Sequence, residues 1–297
     1  MGVSNFANKS FVTRTLSGIV MVALLILGLT IGGSYWDGRL LFFANLIISL
    51  IAVYELYKSF DMHKTLMGLT GYVALACYYV LIYFDQYNVR ILGNTIHGKR
   101  FMMIFMVMFL VVLFAEYVFL YPQYNAKQVA VVFMCMVYAG VMLSYLYITR
   151  MEYNGLYTVW LIFIASWGCD TCAYLAGVAF GKHKMAPILS PKKSVEGAIG
   201  GILGAALIGG VYAYIFQDKI DKIPNPVLVF AVICAVAGLI SMTGDLVASA
   251  IKRNHNIKDY GKVIPGHGGI MDRFDSVIYV APVIWLLVYI MTGMSLD

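Results

Sequence analysis

Nine runs of apolar residues, each of roughly bilayer-crossing length, divide this 297-residue chain. They fall at about 16–33, 39–57, 69–84, 101–121, 127–148, 156–180, 196–216, 226–248 and 276–293. Hydrocarbon offers backbone N–H and C=O groups no partner, so an apolar run of about 20 residues must satisfy them within itself as an α-helix. An all-α polytopic integral membrane protein of about nine transmembrane helices follows. A hydrophobic content of 61% and a mean hydropathy of +0.82 exclude an ordinary water-soluble domain. The run at 69–84 is short for a span, and the one at 156–180 is long enough to hold a break. The first run follows Arg14 directly and is not trailed by a small-x-small cleavage pattern, so it reads as a retained first helix.

The distribution of cations orients the spans. Of the 21 Lys and Arg, fourteen lie in the N-terminus and the second, fourth, sixth and eighth loops, and seven on the opposite side. The bias places the N-terminus and the sixth and eighth loops in the cytosol. The chain divides into residues 1–151, about five spans poor in chemistry, and 152–297, about four spans with two charged cytosolic loops, the whole forming one integrated membrane domain. Glu55 and Glu116 lie near the ends of their spans and are expected to snorkel to the interface. Cys77, Cys135, Cys169, Cys172 and Cys234 all lie in apolar runs and read as packing residues, since the lone CxxC has neither a second pair nor a thioredoxin-like context.

Chemistry begins in the sixth span. Asp170 stands well inside an apolar helix, where an unpaired charge costs about 2.5–3.5 kcal/mol, so it requires a cation, a metal or a water-filled cavity. The sixth loop then carries Lys182, Lys184, Lys192 and Lys193, with Ser190–Pro191 before the last two and Ser194, Glu196 and Gly197 after them. That pattern is a turn followed by a capped helix start, and a helix N-terminus beside lysines favours phosphate oxygens. The helix opens on small residues spaced by four, Gly197/Gly201, Gly200/Gly204 and Ala205/Gly209, a face that would pack within the monomer or across a homodimer.

The 27 residues from Ser249 to Asp275 concentrate charge of both signs in a chain that is only 12% charged. Asp245, Ser249 and Lys252 share one face of the eighth helix, Arg253 adjoins them, and Asp272, Arg273 and Asp275 return after a Gly266–His267–Gly268–Gly269 turn. Cations for phosphate and carboxylates for a hard divalent metal, brought together, suit a polyanionic substrate.

These residues resemble the signature of the phosphatidate cytidylyltransferase, or CDP-diacylglycerol synthase, family: Ser249, Lys252-Arg253, Lys258-Asp259, Gly261, His267-Gly268-Gly269, then Asp272-Arg273 and Asp275. Upstream, Asp170-Thr171, Phe180-Gly181-Lys182, Ser190-Pro191-Lys192-Lys193 and Gly244-Asp245-Leu246 are similar to the family too. Cys172 and Val178 depart from it, standing where glycine and arginine are frequent, and the second removes one expected phosphate contact.

The resemblance implies transfer of a cytidylyl group from CTP to phosphatidic acid, in a bacterial cytoplasmic membrane with the active face cytosolic. It implies magnesium at Asp245 and Asp272 with Asp170 and Asp275 nearby, the identity of any second cation left open. Lys192, Lys193, Lys252, Arg253, Lys258 and Arg273 become phosphate contacts and Ser190, Ser194 and Ser249 hydrogen-bond donors, while His267 is either a substrate contact or a loop element. The partners implied are CTP, phosphatidic acid and the lipid bilayer, with no nucleic acid.

A transporter or channel using intramembrane aspartates is the alternative, against which stand the lack of an inverted repeat and the clustering of charge on one side. A phosphatidyl-alcohol transferase would need an aspartate-rich helix pattern, DGxxAR…GxxxDxxxD, that the chain lacks. Orientation is testable directly: single cysteines placed near Lys192 and Lys258 in cysteine-free protein should label only from the cytosolic side. Labelling of either from outside would break the shared site.

Overall fold

The computed structural model describes residues 2–91, 94–95 and 98–292, with the backbone alone for 2–14, 90–91, 94–95 and 99–100. The helices in chain order are α1 (Gly2–Leu27), α2 (Arg39–Ser59), α3 (Leu66–Gln86), α4 (Gly98–Phe119), α5 (Ala126–Cys135), α6 (Met142–Met151), α7 (Gly155–Phe163), α8 (Cys169–Phe180), α9 (Val195–Phe216), α10 (Pro226–Asn254) and α11 (Met271–Thr292). Two short antiparallel strand pairs, β1 (Arg90–Ile91) with β2 (Asn94–Thr95) and β3 (Lys184–Ala186) with β4 (Ser190–Ser194), lie in loops.

Among the described residues nine helical segments are long and apolar enough to cross a membrane, and each overlaps one of the nine apolar runs. The protein is an all-α integral membrane protein. The run that looked short occupies Leu66–Gln86, because Thr65 caps the helix early by accepting a hydrogen bond from the Gly68 N–H at 3.0 Å. The sixth span does contain a break: a π-helical turn, Ile164–Gly168, joins α7 to α8 just before Asp170. A second π-helical turn, Met136–Val141, joins α5 to α6. Such turns widen a helix locally and recur at functional sites.

Two compact units can be distinguished, Leu46–Ser144 and the combination of Met1–Asn45 with Tyr145–Asp297. In the first, Tyr57 donates to the Val132 carbonyl at 3.1 Å and the Ser49 and Tyr79 hydroxyls pair at 2.6 Å. Glu55 does not snorkel as expected; it is 1% exposed in the core of this unit. Glu116 accepts a hydrogen bond from the Thr70 hydroxyl. That hydrogen bond offsets part of the desolvation of Glu116.

In the second unit the small-residue face of α9 packs within the chain. A Cβ added at Gly200 would lie 2.2 Å from Ala176 Cβ, at Gly204 2.4 Å from Cys172 Sγ, and at Gly209 2.6 Å from Cys234 Sγ. α8 and α10 therefore approach α9 closely enough that only glycine fits at these points, and the cysteines are the packing residues opposite. Arg150, which charge counting had assigned to an external loop, is 8% exposed: its Nε donates to the Leu29 carbonyl at 2.6 Å and a terminal nitrogen to Ser34 Oγ at 3.1 Å.

This packing makes a paired prediction. Gly200→Ala forces one methyl into another and should cost about 1–3 kcal/mol, lowering the thermal midpoint in detergent. Gly210→Ala, whose new Cβ would meet nothing nearer than 3.5 Å, should be neutral or mildly stabilising. Equal melting of the two variants would contradict the α8–α9 contact.

Candidate active site

The sixth loop is a β-hairpin tied to the start of a helix. Lys184 pairs with Ser194 and Ala186 with Ser190 across it. Ser194 caps α9, its hydroxyl accepting from the Gly197 N–H at 3.1 Å. Glu196, in the first turn, reaches back and accepts from the Lys182 and His183 N–H groups at 3.0 and 3.2 Å, while its other oxygen meets His183 Nδ1 at 2.6 Å. The lysines are thereby held over the positive end of a helix dipole, an arrangement that attracts anions. A cavity of about 550 Å³ opens beside them, with Lys184, Lys192, Lys193 and Ser194 on one side and Asp170 and Asp245 on the other.

The loop from α10 to α11 is folded by Asp272. One carboxylate oxygen accepts from the N–H groups of Tyr260 at 2.8 Å and Gly269 at 3.0 Å, and the other from Lys252 Nζ at 3.0 Å. Tyr260 in turn donates its hydroxyl to the Ala248 carbonyl at 2.9 Å. The turn itself closes by hydrogen bonds between Ile264 and Gly268, with φ of +77° at Gly266 and +90° at Gly268. Glycine adopts that conformation without the Cβ penalty other residues carry. Arg273 Nε donates to the His267 carbonyl at 2.9 Å, and His267 Nδ1 meets Ser17 Oγ of α1 at 2.8 Å.

A second cavity, of about 420 Å³, lies against this loop. Lys252, Arg273 and His267 contribute its basic groups and Asp170, Asp245, Asp259, Asp272 and Asp275 its acidic ones. Asp170 and Asp245 line both cavities. Asp245 is paired with Lys193 of the hairpin, and Ser276 lines the second cavity together with Asp170. Asp170, Asp245 and Asp275 are close enough to repel one another, and Lys193 and Lys252 offset that repulsion.

Ten of the sequence-derived site residues thus line one cavity or both: Asp170, Lys192, Lys193, Ser194, Asp245, Lys252, His267, Asp272, Arg273 and Asp275. Ser190, Ser249, Arg253 and Lys258 lie outside the two linings, the last two exposed. The sequence reading had not singled out Ser17, Trp167 or Ser276. Trp167 donates its indole N–H to the Arg273 carbonyl at 3.3 Å. Nothing local marks it, although its position in the π-helical turn before Asp170 does so in the fold.

Among the described residues no three His, Cys, Asp or Glu side chains converge as a closed metal cage. Magnesium is ordinarily held by one or two carboxylates, with phosphate and water oxygens completing the octahedron. Asp245 and Asp272 share the lining of one cavity with Asp170 and are the carboxylates that could hold such an ion. Asp272 retains lone pairs on the oxygen beside Lys252, its other oxygen being held by two backbone amides.

Fold and site together define a polytopic membrane protein with a paired, charged cavity built from helices α8, α10 and α11 and a hairpin. A family model described as the cytidylyltransferase family matches residues 12–291, and the chain belongs to that family. It is 32% identical over 276 residues to a phosphatidate cytidylyltransferase of Staphylococcus aureus, covering 92% of this chain and 97% of that protein. To the one of Staphylococcus haemolyticus it is 30% identical over 274 residues, with the same coverage of 92% and 97%. To the one of Staphylococcus saprophyticus it is 39% identical over a shorter stretch of 166 residues, 56% of this chain and 61% of that protein.

The turn can be tested by its glycine. Gly268→Ala places a Cβ 3.0 Å from the Asp272 carboxylate at a left-handed φ. The strain is roughly 1–2 kcal/mol and should lower the thermal midpoint by about 2–4 °C per kcal/mol. An unchanged midpoint would contradict this turn geometry.

Proposed function

We propose that the chain transfers a cytidylyl group from CTP to phosphatidic acid, giving CDP-diacylglycerol and pyrophosphate, at the cytosolic face of a bacterial membrane. The observation that carries this reading is the sharing of Asp170 and Asp245 by two cavities, each with its own cations. Two polyanions can then be held with their reacting phosphates at the common wall. The triphosphate lies against Lys184, Lys192, Lys193 and the start of α9. The lipid phosphate lies against Lys252, Arg273 and His267. Arg253, Lys258, Ser190 and Ser249 act at the rim.

The chemistry asks little of the protein beyond placement and charge. A lipid phosphate oxygen attacks the α-phosphorus of CTP, the bond to the bridging oxygen breaks, and its electron pair leaves with pyrophosphate. The nucleophile is already an anion, so no general base is required. Lys193 and Lys252 neutralise the groups that approach and depart, and in-line placement supplies the rest. Asp245 and Asp272, with Asp170 beside them, would hold a magnesium ion, whose charge would let a triphosphate approach these carboxylates. Asp275, buried near Lys252, is a further carboxylate of this site.

The test is incorporation of radiolabelled CTP into lipid by purified protein with phosphatidate, with and without magnesium. Asp245→Asn and Asp272→Asn should abolish turnover in folded protein, whereas Glu116→Gln should leave most of it. Lys193→Gln and Lys252→Gln should each lower the rate by about 30- to 100-fold, the worth of one charge-assisted contact. Arg253→Lys and Lys222→Gln should change it little. No incorporation by the wild type, or full activity in either aspartate variant, would overturn the assignment concerned.

A further inference from the structure

An apolar groove runs along the outer face of α1 and ends at the charged site. Thr15, Gly18, Ile19, Val22, Ala23 and Ile26 line it, and His267 stands at its head; the groove is open to its surroundings and has a volume of about 620 Å³. Leucine and isoleucine on a lipid-facing helix are unremarkable, but this groove is continuous with something polar. His267 also lines the second cavity, beside Arg273 and Lys252. Its ring is held by Ser17 at 2.8 Å and lies over Gly18, where an added Cβ would sit 3.6 Å from the ring. The glycine leaves the passage beside the ring open; a larger side chain would narrow it.

We propose that this groove seats an acyl chain of the phospholipid substrate, so that α1 is the lipid-selecting element and His267 is the gatepost between tail and phosphate. The occupant follows from continuity and charge. A molecule that fills both spaces must carry a phosphate anion at one end, for Lys252 and Arg273, and a long apolar chain at the other. A nucleotide has no such tail, and a second protein helix has no phosphate. The proposal rests on the cytidylyl-transfer reading for the identity of the lipid, but the shape of the ligand comes from the groove itself. It also gives the Ser17–His267 contact a purpose: across 250 residues of sequence it fixes the ring at the junction of the two environments.

Ala23→Phe fills the groove away from the phosphate. With dioleoyl phosphatidate the KM should rise about tenfold, the loss of about two buried methylene groups. With dihexanoyl phosphatidate, and for CTP, KM should stay within twofold of wild type, which also reports that the variant is folded. Leu24→Phe, on α1 but outside the groove lining, should behave as wild type with both lipids. A second measurement does not depend on turnover: phosphatidate carrying a diazirine in its acyl chain, irradiated with wild-type protein in nanodiscs, should label the α1 peptide spanning Gly18–Ile26. Equal KM changes for long and short lipids, the same effect in Leu24→Phe, or labelling spread evenly over the helices would overturn the groove. Labelling of α1 without any conversion of CTP would instead sustain the groove and overturn the transfer reading.

Discussion

Carboxylates placed where water is scarce are the constraint on which this structure depends. Asp170, Asp245 and Asp275 repel one another within the helical part of the chain, and removing each from water costs several kcal/mol unless a cation answers it. Lys193 from the hairpin pairs with Asp245, and Lys252 from α10, whose own ion pair is with Asp272, stands near Asp275. The pairing explains why two loops far apart in sequence must fold against the same three helices. Each lysine is thus held by a carboxylate at the wall of a cavity.

Rigidity around these charges comes from backbone chemistry. Asp272 binds two amides and one lysine, so the return of the chain from α10 to α11 is fixed at a single carboxylate. Glu196 does the same for the hairpin, accepting from two consecutive amides. Glycine supplies what side chains would forbid, by positive φ at Gly266 and Gly268 and by close helix approach at Gly200 and Gly204. The two uses differ: in the loop glycine enables a conformation, and in α9 it removes a volume.

Much of this was legible in the sequence, and the reason is the bilayer. Apolar runs have one solution in hydrocarbon, so the spans could be placed to within a few residues, and an aspartate such as Asp170 stands out against such a background. Helical spacing put Asp245 and Lys252 on one face, and both line the second cavity. What was illegible is what depends on tertiary approach. Arg150 looked like a loop cation and is buried against Leu29 and Ser34, just beyond α1, and Glu55 looked interfacial and is buried. Ser17 carries no motif; only the fold brings α1 to His267. The signature run gave Arg253 and Lys258 the same weight as Lys252, yet the geometry separates them, because α10 ends at Asn254 and only one face of its last turn meets the cavity.

The central claim is that two polyanions meet at the carboxylates shared by the two cavities and react directly. The stereochemistry at phosphorus tests it. CTP made chiral at the α-phosphorus by a single thio substitution should give CDP-diacylglycerol with inverted configuration, the mark of one in-line displacement. Retention would mean two successive displacements through a covalent enzyme intermediate, and would contradict a site in which both substrates are held together.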